Sequence, residues 1–185
     1  SLSADVLARG VVTSSTGNHG LAVAEALRIV GARGTVVVSA TASPYKVARL
    51  ADAGLEVVTH PGDPMAAELA ARALGEREGR VYVSPYNDPD VVAGQGTLGI
   101  ELAAQRPDVE VVYVAVGGGG LAAGVAAAMK AARPATTIVG CWPEHATAML
   151  ASIRAGTIVD VEEAPTLSDG TAGNLEPGSI TLPWC

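Results

Sequence analysis

The sequence has no phenylalanine, only four tyrosines and two tryptophans, and only two cysteines. The apolar residues, 49% of the chain, are therefore mainly small ones such as Ala and Val, which let helices lie close to a sheet. Cys141 and Cys185 are far apart and show no CxxC spacing. This argues against a disulfide framework or a zinc knuckle and indicates a reducing compartment.

Positive charge and long apolar runs are also scarce. The net charge is −7 and no basic cluster occurs, which argues against nucleic acid as a partner, because phosphate contacts need a concentrated positive face. No run of about 18 apolar residues is free of Gly, charge or a turn signal, so no membrane-spanning segment is predicted.

The two ends lack the features of a complete chain. The sequence begins with Ser, shows no secretory signal and ends after Thr181–Cys185 without a closing helix. We expect a piece of a longer protein, whose 185 residues suffice for one good core or for one domain plus part of another.

Short β-branched runs alternate regularly with longer segments of helical spacing. The runs are nearly continuous in apolar residues, which is typical of strands buried on both faces of a parallel sheet. The order predicts an α/β fold with twisted parallel sheets and helices on both faces. The predicted strands are Gly10–Ser14, Gly34–Ser39, Leu55–Thr59, Arg80–Ser84, Val109–Val116 and Thr136–Cys141. The predicted helices are Asn18–Val30, Pro44–Ala53, Pro64–Glu78, Pro89–Gln105, Gly120–Ala132 and Glu144–Ala155.

The stretch Ser84–Asp90 is rich in Pro, Asn and Asp and predicts a hinge. We therefore divide the chain into a smaller α/β domain, residues 1–88, and part of a larger α/β domain, residues 89–185. Beyond Ala155 the sequence is loop-rich, and its periodicity predicts no element.

Polar residues mark the point where the first predicted strand meets its helix, Ser14–Gly20. Ligands bind at the carboxyl ends of strands in open α/β sheets, and a helix amino terminus attracts anions such as carboxylates. Ser15, Thr16 and Asn18 add polar side chains, and Gly17 permits close approach of the backbone. The alternative is that Ser15 or Asn18 merely caps the helix, and these residues alone do not decide between the two.

Four consecutive glycines, Gly117–Gly120, lie between a strong strand pattern and a strong helix pattern. A simple turn needs one glycine, and each further one costs roughly 1 kcal/mol relative to Ala. The row favours N–H groups wrapped around a phosphate over a mere turn. No Gly-Lys-Ser/Thr of a nucleotide P-loop follows, and a dinucleotide fingerprint fits only loosely, through Gly118, Gly120 and Ala123 with Glu144.

A third stretch, Pro85–Pro89, leads into a predicted helix that contains Gly94, Gly96 and Gly99. Glycines inside a helix are costly and indicate close approach of a ligand or of another helix. A glycine-lined helix crossing is the favoured interpretation of these three residues.

In this order, the three stretches resemble the fold-type II pyridoxal-phosphate enzymes, most closely the serine/threonine dehydratase (ammonia-lyase) group. That group has a serine-rich loop that ends in Gly-Asn-His, as Ser14–His19 does. It has a Pro-aromatic-Asn/Asp-Asp-Pro stretch followed by Ala-Gly-Gln-Gly-Thr, as in Pro85–Pro89 and Ala93–Thr97. It also has a glycine cradle closed by Leu, as in Gly117–Leu121, and the similarity extends from Leu2 to about Pro177.

The resemblance implies an incomplete fold-type II architecture, like that of the tryptophan synthase β subunit, and pyridoxal 5'-phosphate as the cofactor. Asn18 would bind the oxygen on the cofactor ring. The cofactor phosphate would be held by Gly117, Gly118, Gly119, Gly120 and Leu121. The substrate carboxylate would be held by Ser15, Thr16, Gly17 and His19.

The implied reaction is α,β-elimination from a small hydroxy-amino acid of the serine or threonine type, which gives a 2-keto acid and ammonia. The implied protein is a cytoplasmic homodimer or higher homo-oligomer. Racemisation, β-replacement and a catalytically inactive binding module remain open alternatives. A dinucleotide-binding oxidoreductase also remains, but it explains the glycine row without explaining Gly-Asn-His or Pro85–Pro89.

Two features depart from the family pattern. The lysine that joins the cofactor precedes the Gly-Asn-His loop in this family, whereas the only lysines here, Lys46 and Lys130, lie at positions that do not match. The catalytic lysine is therefore not in this chain. Many relatives carry a metal-binding Glu before a Pro after the sixth strand, but Trp142 precedes Pro143 here, so no metal site is predicted.

Overall fold

The computed structural model describes residues 2–185, which divide into two units, one ending at Pro85 and one beginning at Tyr86. The boundary between the units lies within the stretch 84–90, three residues before the division after residue 88 that was expected from the sequence.

The first unit carries a parallel sheet in the order β3-β2-β1-β4. Helices cover both of its faces, and successive strand residues, which point to opposite sides, pack against different helices. Val36 packs with Leu27 and Leu50 on one face, and Val37 packs with Ala67 and Ala71 on the other. Its elements are α1 (Ala4–Arg9), β1 (Val11–Ser14), α2 (Asn18–Val30), β2 (Gly34–Ser39), α3 (Pro44–Asp52), β3 (Glu56–His60), α4 (Pro64–Glu78) and β4 (Val81–Val83).

The second unit contains a parallel pair of strands, β5 and β6, and three helices. Its core gathers Tyr86, Val114, Val125, Met129 and Met149. The elements are α5 (Pro89–Gln105), β5 (Val111–Ala115), α6 (Gly120–Ala132), β6 (Thr137–Cys141) and α7 (Ala148–Ala155), followed by 3-10 turns at Asp169–Thr171 and Leu182–Trp184.

Helices α5 and α6 cross at glycines. A Cβ on Gly96 would lie 3.1 Å from the carbonyl oxygen of Gly124, and one on Gly99 would lie 2.9 Å from Cβ of Ala128. Gly94 has nothing within 4 Å of its Cβ position. The helix-crossing interpretation is confirmed for Gly96 and Gly99, whereas Gly94 has no part in the contact.

The predicted fold class is confirmed, since all strand pairs are parallel and helices alternate with them. The prediction that the strands are buried on both faces holds for β1 and β2 but is wrong for β3, β4, β5 and β6, which are largely exposed or half-buried. Strands β3 and β4 are the two edges of their sheet, and each strand of a two-stranded sheet is an edge, so fewer neighbours cover them. Within residues 2–185 no helix is both long enough and apolar enough to span a membrane.

Two local differences have simple causes. Helix α1 has only six residues, too few for a periodic pattern, and was not predicted from the sequence. Helix α7 begins at Ala148 rather than Glu144, because the N–H of Ala146 bonds to the carbonyl of Pro143 in a turn.

Candidate active site

The Gly-Asn-His loop joins the carboxyl end of β1 to α2. Gly17 occupies the N-cap position of α2, and within the described chain no side chain caps this helix. The hydroxyl of Ser15 instead accepts the N–H of Gly17 at 3.1 Å. The capping interpretation of Ser15 and Asn18 is therefore wrong, and the first turn of α2 keeps N–H groups that a carboxylate can use.

Two buried hydroxyl groups of β1, directly before the loop, hold its starting point in place. Ser14 Oγ donates to the carbonyl of Val37 at 2.9 Å, and Thr13 Oγ1 donates to the carbonyl of Val83 at 2.7 Å. These two hydrogen bonds join the last two residues of β1 to the neighbouring strands β4 and β2. Asn18 is exposed, so its amide is free to reach a ligand, while Ser15 is half-buried.

Gly20 fixes the distance between α2 and the loop. A Cβ at this position would lie 2.7 Å from Cδ2 of Leu50 and 2.9 Å from the carbonyl oxygen of Ser15. Only a residue without a side chain lets the helix start so close to Ser15. This role of Gly20 was not predicted from the sequence, although Gly20 directly follows the Gly-Asn-His motif.

The ring of His19 is turned into the first unit. Its Nε2 lies 2.9 Å from Thr13 Oγ1 and 3.3 Å from the carbonyl oxygen of Val83. Since the Thr13 hydrogen is donated to Val83, the arrangement that satisfies every atom has Nε2–H donating to Thr13. Burial lowers the pKa of His19 below the 6.5 of an ordinary histidine, an effect partly offset by the bond to Val83, and so favours the neutral ring.

The glycine loop of the second unit precedes α6. Gly119 is the N-cap residue with φ of +85°, and no described side chain caps this helix. The ring of Tyr86 occupies the space where a Cβ on Gly118 would be, and Cβ of Tyr86 lies 3.0 Å from the corresponding position on Gly120. The loop needs glycine at these two positions because it packs directly against Tyr86, a residue far from it in sequence.

This loop fits the phosphate of pyridoxal phosphate. Four glycines present backbone without side chains, and they lead directly into the positive end of a helix of 13 residues. Among residues 2–185 no group of three or more His, Cys, Asp or Glu side chains is placed to hold a metal ion.

The stretch that begins at Tyr86 organises the second unit. Tyr86 Oη accepts the N–H of Glu176 at 2.8 Å, and Asn87 Oδ1 accepts the N–H of Ile180 at 2.9 Å. Asp88 caps α5 by accepting the N–H of Asp90 at 2.8 Å. Tyr86 and Asn87 thus hold the segment 176–180 in place, and Asp88 fixes the start of α5, so all three have a supporting role.

Neither lysine is placed for the missing catalytic role. Lys130 Nζ donates to the carbonyls of Thr136 at 2.6 Å and Pro134 at 3.1 Å, just beyond the end of α6. It is thereby held at the carboxyl end of the helix whose amino end carries the glycine loop. Lys46 lies in the first turn of α3.

Comparison with known proteins identifies the family. A family model described as pyridoxal-phosphate dependent enzyme matches residues 3–185. The L-threonine ammonia-lyase of Thermotoga maritima is 42% identical over 181 residues, which cover 98% of this chain and 45% of that protein.

Solved structures agree with this assignment. The processed form of threonine deaminase isoform 2 from Solanum lycopersicum superposes with a TM-score of 0.88 at 35% identity, covering 100% of this chain and 53% of that one. Maize serine racemase superposes with a TM-score of 0.89 at 32% identity, covering 99% of this chain and 55% of that one. The chain spans about half the length of the curated relatives that it matches.

The family model covers almost the whole chain, and the threonine deaminase from Solanum lycopersicum superposes on all of it. The Gly-Asn-His loop and the glycine loop both lie at the starts of helices that follow parallel strands, as the resemblance requires. The chain therefore belongs to the pyridoxal-phosphate dependent enzyme family and has the fold-type II architecture.

Proposed function

We propose that the protein to which this chain belongs is a pyridoxal-phosphate-dependent ammonia-lyase. It would convert a small hydroxy-amino acid of the threonine or serine type into a 2-keto acid and ammonia. The observation that carries the proposal is the 42% identity over 181 residues with the L-threonine ammonia-lyase of Thermotoga maritima.

The second unit would hold the cofactor phosphate. When bound, pyridoxal phosphate makes the α-hydrogen of an attached amino acid acidic, so that a β-hydroxyl can leave. The N–H groups of the loop from Gly117 to Gly120, with that of Leu121, would bind the phosphate oxygens. Two observations support this assignment: the loop packs closely against Tyr86, and no side chain caps the start of α6 in the described chain.

The first unit would hold the substrate carboxylate and the ring oxygen of the cofactor. The exposed amide of Asn18 would donate to the ring oxygen. The carboxylate would accept hydrogen bonds from the hydroxyls of Ser15 and Thr16 and from N–H groups at the start of α2, where Gly17 leaves the backbone accessible. Fixing the carboxylate orients the α-hydrogen of the substrate.

His19 would contribute its backbone N–H to this carboxylate site. Its imidazole Nε2 is engaged with Thr13 and Val83, and Nδ1 of the neutral ring carries no hydrogen to donate. The ring therefore supports the loop, and the part of His19 that would hold the carboxylate is its main-chain N–H.

Racemisation is the second candidate. Maize serine racemase superposes on the chain with a TM-score of 0.89, slightly above that of the threonine deaminase. A racemase returns the substrate as its mirror image and releases no ammonia, so the two candidates give different products from the same amino acid.

Two further features belong to the proposal. We place the protein in the cytoplasm because two widely spaced cysteines without CxxC fit a reducing compartment. We also propose a homodimer or higher homo-oligomer, as the family resemblance implies.

The test uses the full-length protein. Its visible spectrum is recorded, it is reduced with borohydride, and the modified peptide is located by mass. We expect the cofactor on a lysine other than Lys46 and Lys130. The protein is then given L-threonine, L-serine and, as a control without a β-hydroxyl, L-alanine.

Ammonia and a 2-keto acid from threonine or serine, and neither from alanine, would support the lyase. D-serine from L-serine without ammonia would support the racemase instead. A colourless protein that takes up no pyridoxal phosphate would overturn both candidates.

A further inference from the structure

A chain of two buried hydroxyls ends on the glycine loop. Thr181 Oγ1 donates to the carbonyl oxygen of Gly118 at 2.6 Å, and Ser179 Oγ lies 2.7 Å from Thr181 Oγ1. A threonine hydroxyl has one hydrogen, and that of Thr181 is given to the carbonyl, so Ser179 must donate to Thr181. Thr181 is 0% exposed and Ser179 is 6% exposed, so water does not compete with these bonds.

The carbonyl of Gly118 and the N–H of Gly119 belong to one peptide group. Because that group is planar and trans, the N–H points away from the direction of the C=O. Holding the Gly118 oxygen toward Thr181 therefore aims the Gly119 N–H away from Thr181. The N–H groups of this loop are the ones proposed to bind the cofactor phosphate.

The loop cannot fix this orientation by itself. The peptide group between Gly118 and Gly119 is flanked by two residues without Cβ. Rotation about the flanking φ and ψ bonds is therefore less restricted than between any other two residues. An outside hydrogen bond must select the orientation in which N–H groups are available. At Gly119 the loop also lies close to Thr181, whose Cβ is 3.1 Å from the ideal Cβ position of that glycine.

We propose that Thr181, with Ser179 behind it, is a positioning residue for the phosphate-binding loop. It acts by holding the Gly118 carbonyl, so that the loop is preorganised for phosphate before the cofactor arrives. The inference rests on the proposed function, because it assigns the phosphate of pyridoxal phosphate as the group that benefits.

The test compares two ligands that differ only in phosphate. The full-length apoprotein is titrated with pyridoxal phosphate and with pyridoxal, each followed by visible absorbance. The variants are Thr181→Val, which keeps the shape and removes the hydroxyl, Thr181→Ser, which restores a hydroxyl, and Ser179→Ala, which removes the donor behind it.

We expect Thr181→Val to weaken pyridoxal phosphate binding about tenfold, the effect of one lost neutral hydrogen bond, and to leave pyridoxal binding unchanged. Thr181→Ser should bind both ligands like the unaltered protein. Ser179→Ala should weaken pyridoxal phosphate binding about threefold, and it tests the same chain of bonds should Thr181→Val fail to fold.

Equal losses for both ligands would mean general damage to the fold and would overturn the inference. Unchanged pyridoxal phosphate binding in Thr181→Val and Ser179→Ala would also overturn it, while leaving the proposed function intact. If the unaltered full-length protein fails to bind pyridoxal phosphate, the proposed function fails, and the inference fails with it.

Discussion

At the scale of single residues, the side chain of His19 points into the protein although it belongs to a motif predicted to bind a ligand. The Gly-Asn-His motif places it next to a predicted ligand site, yet its Nε2 is bonded to Thr13 and Val83 within the sheet. The imidazole thus ties the start of α2 to the ends of β1 and β4. Mutation of His19 should therefore change the stability of the fold as well as the binding of any ligand at this loop.

The buried ring predicts a pH dependence of stability. Burial lowers the pKa of His19 below the 6.5 of an ordinary histidine, so the unfolded chain binds a proton at a pH where the folded chain does not. The stabilisation is complete above the unfolded pKa and is lost as the pH falls below it. We expect the free energy of unfolding, measured with urea, to decrease from about pH 7.5 to about pH 5.5.

Two variants separate this effect from that of other groups. His19→Gln keeps a polar side chain but does not titrate, so its stability should decrease less over the same pH interval. His145→Gln, at an exposed side chain, is the matched control and should behave like the unaltered chain. Identical slopes in all three proteins would contradict the assignment.

At the scale of helices, the crossing of α5 and α6 depends on the absence of side chains. A Cβ on Gly124 would collide with the carbonyl oxygen of Val92 and would lie 2.7 Å from the N atom of Gly96. Both obstacles are backbone atoms of α5, which cannot rotate away as a side chain can. The helices would have to separate to admit a methyl group.

Gly124→Ala should therefore destabilise the chain by about 2 kcal/mol, because overpacking outweighs the helix propensity that alanine adds. Gly94→Ala is the matched control, since this exposed glycine of α5 has nothing within 4 Å of its Cβ position. It should be neutral or stabilising by up to about 1 kcal/mol. Thermal unfolding of the two variants checks both values, and equal effects would contradict the packing argument.

At the scale of the whole molecule, the chain carries the loops proposed to bind cofactor and substrate, but neither Lys46 nor Lys130 is placed to join the cofactor. The amine of Lys130 is occupied by the carbonyls of Thr136 and Pro134, and Lys46 lies in α3. The 185-residue chain by itself should release ammonia from L-threonine no faster than pyridoxal phosphate free in solution.

A coupled ammonia assay on the 185-residue chain and on the full-length protein, at equal concentrations, measures the difference. Lys130→Ala in the full-length protein is the control, because it removes an amine that the structure uses only at the end of α6. Ammonia release by the short chain above the free-cofactor rate would show that another group replaces the missing lysine.

Features that depend on residues close together in the chain could be predicted from the sequence. Helices α2, α4, α5 and α6 begin and end where their apolar spacing, Pro and Gly predict, because these signals act within a few residues. The Gly-Asn-His loop and the glycine row likewise stand out without any structure, since each is one continuous segment.

Contacts between residues far apart in the chain could be seen only in the folded structure. Tyr86 lies against Gly118, Thr181 donates to a carbonyl 63 residues earlier, and the ring of His19 meets Val83 of another strand. No local pattern encodes these pairs, because each depends on how the strands and helices pack once they have formed. The sequence therefore locates the two loops proposed to bind ligands, whereas their orientation depends on residues that folding brings close.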